Sequence, residues 1–227
     1  MAAKKAEVVD IKPIDIQTVN FTIRGITPLI VHAWSDKAKR MILRPDNPTV
    51  GKRHNVKIPV NDFIESLYWL TDRPALGDSD EEAEANWMIA VKGGAKFGFP
   101  VTGIKQSIIT GSYRAGLDVK MTELRGLMLM YGSTDASTTD IAEIVSDIPV
   151  MREDMVRIGG QSKSAGIRYR AEFKNWEIPV TMEYHADGKY TLSQIMNLIN
   201  YGGRYCGIGE WRPEKDGQNG MYELVTE

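Results

Sequence analysis

Residues 190–225 constrain this chain more than any other stretch. Thr191 is placed to cap a helix, and Leu192, Ile195, Met196, Leu198 and Ile199 fall on one face at helical spacing. Gly202 and Gly203 are expected to end that helix, as a left-handed C-cap does. A glycine-rich loop follows, with Gly207, Gly209, Gly217 and Gly220, and Met221 to Val225 reads as a short closing strand. Glycines accumulate where φ turns positive or where another chain comes close. Interleaved with Arg204, Tyr205, Trp211, Arg212 and Lys215, these four suit either a phosphate backbone on main-chain N–H groups or an irregular turn before an edge strand. The loop lacks the third glycine of GxGxxG and follows a helix, and no GxxxxGK[ST] occurs in the chain.

The rest of the chain supplies partners for that tail. Val19, Phe21 and Ile23 alternate with Thr18, Asn20, Thr22 and Arg24, the signature of a half-buried strand broken by Gly25-Ile-Thr-Pro28. Leu29 to Val31 extends it or starts a second short strand. Ser35 can cap a helix over 36–43, and Asn61 one carrying Phe63, Ile64, Leu67 and Leu70. Thr102 opens a helix with Ile104, Ile108 and Ile109 on its apolar side. Thr122 to Tyr131 is apolar and Met-rich. Thr134 to Thr139 is polar, 141–145 and 148–150 are short strand candidates, and Gly159 to Gly166 reads as a flexible loop reached through 151–157. Strands are expected at 167–173 and 176–184. These elements give an α+β chain with a ferredoxin-like, RRM-like βαββαβ core and large insertions, in one domain over 1–227. A basic flexible insertion spans 36–58, and an acidic excursion spans 72–90.

Charge is local. The net charge is −2, so any polyanion must meet a patch of basic residues rather than a basic protein. Between Lys37 and Lys57 seven Lys/Arg, among them Lys52 and Arg53, stand against one acid, Asp46. That pattern fits a solvated loop or a basic arm. Between Met151 and Asn175 six basic residues face three acids. Arg152, Arg157, Lys163, Arg168 and Arg170 can line one sheet face as a phosphate track, or be its charged outer surface. Lys105 and Arg114 project from the helix opened by Thr102, and Tyr169, Tyr205 and Trp211 are candidate stacking rings.

Catalytic signatures are sparse. His32, His54 and His185 stand at no metal-ligand spacing, Cys206 is the only cysteine, and HExxH, GxSxG and paired CxxC are missing. No catalytic residue, metal or cofactor is expected. A single cysteine and no membrane-spanning apolar run point to a cytoplasmic protein with no membrane partner.

Three stretches resemble the RAMP superfamily, the RRM-like proteins of CRISPR effector complexes, and their backbone subunits most of all. Ile23-Arg-Gly-Ile-Thr-Pro-Leu-Ile-Val31 resembles their first strand and its turn. Phe99-Pro-Val-Thr-Gly-Ile-Lys105 is similar to their entry to the first helix, with Val101, Thr102 and Gly103 where the family carries serines. The run from Gly203 to Gly220 resembles their C-terminal glycine loop, here with three acids, Glu210, Glu214 and Asp216, among three basic residues. The same ending also resembles uncharacterised tailed-phage proteins. The resemblance implies a phosphate contact at Lys105 and close approach of nucleic acid or a neighbouring copy at Gly207, Gly209, Gly217 and Gly220. It also implies that segment 44–56 is a protruding thumb. The leading expectation is therefore a non-catalytic protein binding single-stranded DNA or RNA, with copies assembling into a filament or ring. The alternatives are a phage structural or protein-interaction protein that binds no nucleic acid, and an endonuclease using His32 or His185.

Overall fold

Alternating apolar residues write the central sheet. In the computed structural model, which describes residues 12–36, 39, 43, 57–132, 140–158 and 164–225, β1 (Ile16–Gly25) pairs antiparallel with β10 (Trp176–His185). Phe21 faces Val180 and Ile23 faces Ile178. Those side chains are buried, while Asn20, Thr22 and Arg24 lie on the opposite face with Thr181, Pro179 and Glu177. β11 (Tyr222–Leu224) adds to the far side of β1, and β5 (Met128–Tyr131) to the far side of β10. The order β11-β1-β10-β5 is antiparallel at every step, with β7 (Val145–Ser146) also on β10.

Two helices cover the buried face. Ile104 and Ile108 of α3 (Val101–Arg114) and Ile195, Leu198 and Ile199 of α5 (Leu192–Tyr205) share one apolar core with the sheet. The expected Thr191 cap is present as a full capping box with Gln194. The expected stop at Gly202 and Gly203 is not. The helix runs on to Tyr205, because these glycines serve packing instead. A Cβ on Gly111 would sit 2.6 Å from the Gly202 Cα, and one on Gly203 would sit 1.9 Å from the Tyr222 carbonyl oxygen. Removing side chains here lets α3, α5 and β11 meet backbone to backbone. Tyr222 is fully buried, its hydroxyl 2.6 Å from the Ser107 Oγ.

A second sheet branches from the first. β2 (Leu29–Val31) pairs with β9 (Ser164–Phe173), which pairs with β8 (Val150–Ile158) in a long antiparallel hairpin. The chain bends between β1 and β2 at Gly25, against which the Trp176 indole lies, its Nε1 donating to the Thr27 carbonyl at 2.9 Å. β8 corrects the expectation that 151–157 merely leads into a loop. A third small sheet, β3 (Tyr68–Trp69), β4 (Phe97–Pro100) and β6 (Ile141–Glu143), contributes Trp69 and Phe97 to a ring cluster completed by Trp87 and by Phe173 of β9. Helix α1 (Pro59–Ser66) begins with proline in its first turn; Asn61, expected as its cap, lies inside it and holds Gly77 through two hydrogen bonds. The acidic stretch contains a packed helix, α2 (Asp80–Lys92), whose Ser79 cap accepts from the Glu82 amide. Asp80, Glu81 and Glu82 suit the positive end of that helix, and Trp87 is buried. Helix α4 (Met121–Leu127) leads into β5. Residues 44–56, Lys163 and the polar run 134–139 lie outside the described residues. Among the described residues no helix is long and apolar enough to cross a membrane.

Candidate nucleic-acid interface

The β8–β9 register decides which basic residues act together. Arg152 stands opposite Arg170, and Asp154 opposite Arg168, so these four share a face. Arg157 stands opposite Ala165 on the other face, so the expected track divides between the two sides of the hairpin. Arg170 is itself only 1% exposed. It donates to Asp154 Oδ2 at 2.7 Å and to Glu210 Oε2 at 3.1 Å, and its Nε is buried with no partner. Arg152 is tied to Asp154 and Glu172. Carboxylates between the arginines therefore fix the hairpin to the glycine loop, which is a correction to an open phosphate track: Arg152 and Arg170 serve this internal network.

The glycine loop closes on its own chain. A Cβ on Gly209 would lie 2.4 Å from the Ile30 carbonyl oxygen, one on Gly217 1.7 Å from that of Trp211, and one on Gly220 1.8 Å from that of Ile208. Gly207 is bounded by Pro213 and the Gly220 carbonyl. The Glu210 amide donates to Ile30 at 2.9 Å and the Gly220 amide to Pro28 at 2.7 Å, so the loop is laced to β2 and the turn before it. The close approach these glycines permit is thus made by the protein's own backbone.

Lys105 is also engaged internally. Its ammonium donates to the Met128 carbonyl at 2.6 Å, and burial pushes its pKa below the ordinary lysine value. Arg212 is bonded to Glu214 and to the Gly209 carbonyl. Arg114 reaches the Glu214 carbonyl at 3.5 Å. Arg204 is exposed near β11, beside the stacked pair Tyr201 and Tyr205. Trp211, 41% exposed, lies over the Arg170 guanidinium at 5.9 Å. Lys52, Arg53 and Lys163 lie outside the described residues.

What the structure brings together is a cleft around His32, at the end of β2. On one side is a hollow of about 120 Å3 lined by His32, Ser35, Asp62, Glu65, Arg168 and Tyr169. Its acids are occupied: Asp62 pairs with Lys57 at 2.9 Å, and Glu65 accepts from the Asp36 amide at 3.0 Å. Lys57 also lies over the Tyr169 ring and donates to the Ile167 carbonyl. The Arg168 guanidinium makes no hydrogen bond or close ion pair among the described residues, though its charge helps to hold the Glu210 carboxyl ionised. On the other side of His32 is a hollow of about 210 Å3, reaching to Tyr68, Gln106, Glu210 and Arg212. Glu210 joins the two, with Oε1 3.7 Å from His32 Nδ1. The His32 imidazole, and then the Arg170 guanidinium, hold its carboxyl below the usual carboxylate range against the opposing effect of burial.

The described ends of the basic segment also converge here. Asp36 and Lys57 both anchor at this cleft, through Glu65, Asp62 and β9. Sequence reasoning singled out Arg168 and Tyr169 but not Tyr68, Gln106 or the pairing of His32 with Glu210. Nothing in spacing links positions 32, 68, 106 and 210; the end of β2, β3, α3 and the glycine loop bring them together in the fold. Among the described residues no group of His, Cys, Asp and Glu could hold a metal ion.

No family model matches the sequence, and no curated protein matches it. Among solved structures the chain is similar to Cmr6 from Pyrococcus furiosus, at 10% identity and a TM-score of 0.35, covering 94% of this chain and 100% of that one. A likeness at that score fixes neither topology nor activity.

Proposed function

We propose that this chain is a non-catalytic binding protein for single-stranded nucleic acid, built on a ferredoxin-like, RRM-like core, with copies set side by side along the strand. The observation that carries the reading is the Arg168 cleft. The Arg168 guanidinium lines it with no hydrogen bond or close ion pair among the described residues, and Asp36 and Lys57, described ends of a segment with seven Lys/Arg against one acid, anchor at its mouth. A guanidinium that is not locked into an internal ion pair can turn to a phosphate backbone, and Tyr169 of the cleft and Trp211, over Arg170, are the candidate stacking rings. The strand order β11-β1-β10-β5, with α3 and α5 together on one face, supports the ferredoxin-like reading, the core that the RAMP resemblance implies.

Binding of a labelled oligonucleotide, measured by anisotropy at several salt concentrations, tests this. The logarithm of affinity should fall with log salt by roughly 0.7 per neutralised phosphate, and Arg168→Ala should shorten the slope by about one such step. Absent or salt-insensitive binding refutes the proposal.

A second reading, a protein-interaction role without nucleic acid, is favoured by the β8–β9 hairpin. Met155 is 84% exposed there, beside Met151 at 45% and Ile167 at 39%, all on one face. The absorbance ratio at 260 and 280 nm of freshly purified protein separates the two, since a nucleic-acid binder carries some of its ligand along.

A further inference from the structure

The larger hollow beside His32 holds free polar groups that phosphate neutralisation does not use. Its volume of about 210 Å3 equals roughly seven waters, room for one heterocycle rather than a whole nucleotide. Tyr68 and Phe99, whose rings meet edge to face at 6.2 Å, supply aromatic lining. Gly103, Gly207 and Gly209 keep other parts of the lining bare of side chains.

Most polar groups of the lining are committed internally. The Ser107 hydroxyl meets that of Tyr222, and Arg212 is held by Glu214 and Gly209. Gln106 gives its amide nitrogen to the Thr110 hydroxyl at 2.7 Å, which leaves its carbonyl oxygen open. The Tyr68 hydroxyl makes no hydrogen bond among the described residues, and the Glu210 carboxylate is its charged neighbour. The Glu210 carboxylate meets Arg170 at Oε2 and His32 at Oε1, and its remaining lone pairs keep acceptor capacity toward the hollow. Beside the His32 imidazole, which faces Glu210, the set open to a ligand is therefore two acceptors, the remaining lone pairs of Glu210 and the Gln106 carbonyl, and one donor, Tyr68.

We propose that this hollow receives one unstacked base of the bound strand and selects bases carrying an exocyclic amino group. The inference rests on the nucleic-acid reading above. An amino group donates to the carboxylate and the amide carbonyl, and the adjacent ring nitrogen or carbonyl accepts from Tyr68. Thymine and uracil turn a carbonyl toward that carboxylate instead, leaving acceptor against acceptor. Reading of this kind, by edge hydrogen bonds on a splayed base, is how single strands are distinguished.

The test compares oligodeoxycytidylate with oligothymidylate of equal length by anisotropy at fixed salt and neutral pH. The cytidine strand should bind about fivefold tighter or more, the lower end of discrimination by a well-placed base contact. Tyr68→Phe, which removes one hydroxyl, and Gln106→Leu, at an exposed helix position, should each bring the ratio toward one. Arg168→Ala should weaken both strands alike and leave the ratio standing. Free deoxycytidine should compete only at far higher concentration than the strand; competition at equal concentration overturns the assignment to a base of the strand. Equal binding of both homopolymers, or a ratio untouched by both pocket variants, overturns the base-reading pocket while leaving the binding protein in place. Failure to bind either homopolymer overturns both.

Discussion

Gly209→Ala is the sharpest probe of what the glycine loop is for. Gly209 has φ of +75°, where a side chain strains the backbone by about 1–2 kcal/mol. Its added Cβ would lie 2.4 Å from the Ile30 carbonyl oxygen, a backbone atom that cannot swing aside. The loop must withdraw from β2, and the Glu210–Ile30 hydrogen bond goes with it, at about 0.5–1.5 kcal/mol net. The sum is a destabilisation of about 1.5–3.5 kcal/mol, or roughly 3–14 °C in Tm for a chain of 227 residues. Gly126→Ala supplies the contrast. Gly126 is helical and exposed, with nothing within 4 Å of an added Cβ, so alanine should stabilise by up to about 1 kcal/mol. Thermal melts and urea titrations of the two variants beside the parent decide the matter. If Gly209→Ala melts with the parent, the loop is not seated on β2 as described. If it melts normally yet loses oligonucleotide binding, the glycine is kept bare for an outside strand.

Three further outcomes follow from the same contacts. Arg170→Met leaves Asp154 and Glu210 without their shared buried cation; because Arg152 still faces Asp154, the loss should be about 3 kcal/mol in urea unfolding, the low end for a broken buried pair. Tyr222→Phe and Ser107→Ala should each cost about 1–2 kcal/mol, and the double variant less than their sum, since one orphaned hydroxyl costs more than none. For Glu210 the folded pKa lies below the unfolded one, so its stabilisation is complete above about pH 4.3 and fades as pH falls through the depressed folded value. Glu210→Gln should flatten that acid limb in a pH series of urea midpoints.

The elements legible in sequence are those whose own residues settle them. Alternation in β1 and β10 and the Thr191 cap of α5 needed no information from elsewhere in the chain. Gly202 and Gly203 misled because a glycine that ends a helix and one that admits a neighbouring helix look alike until Gly111 and Tyr222 are placed against them. β8 was hidden because Met-Arg-Glu-Asp-Met-Val-Arg carries charge on both faces; its stability comes from Asp154 and Arg152 meeting Arg170 and Glu172 across the hairpin. The acids of α2 read as excursion because the burial of Trp87, beside Phe63 at 4.8 Å, cannot be seen in charge counts. The cleft was half legible. Arg168 and Tyr169 stood out as basic and aromatic, whereas committed arginines such as Arg170 and Arg212 have the same letter and an opposite use.

The pairing of β1 with β10 and β11 sets a schedule for biosynthesis. Residues 16–25 leave the ribosome before either neighbouring strand exists. At about 5–20 residues per second, roughly 8–30 s pass before residue 176 is made. Through that interval Phe21 and Ile23 have no sheet to enter, and a nascent-chain chaperone or a neighbouring polysome product has its opportunity there. Expression yield should therefore respond to translation speed and growth temperature more than equilibrium stability alone would suggest.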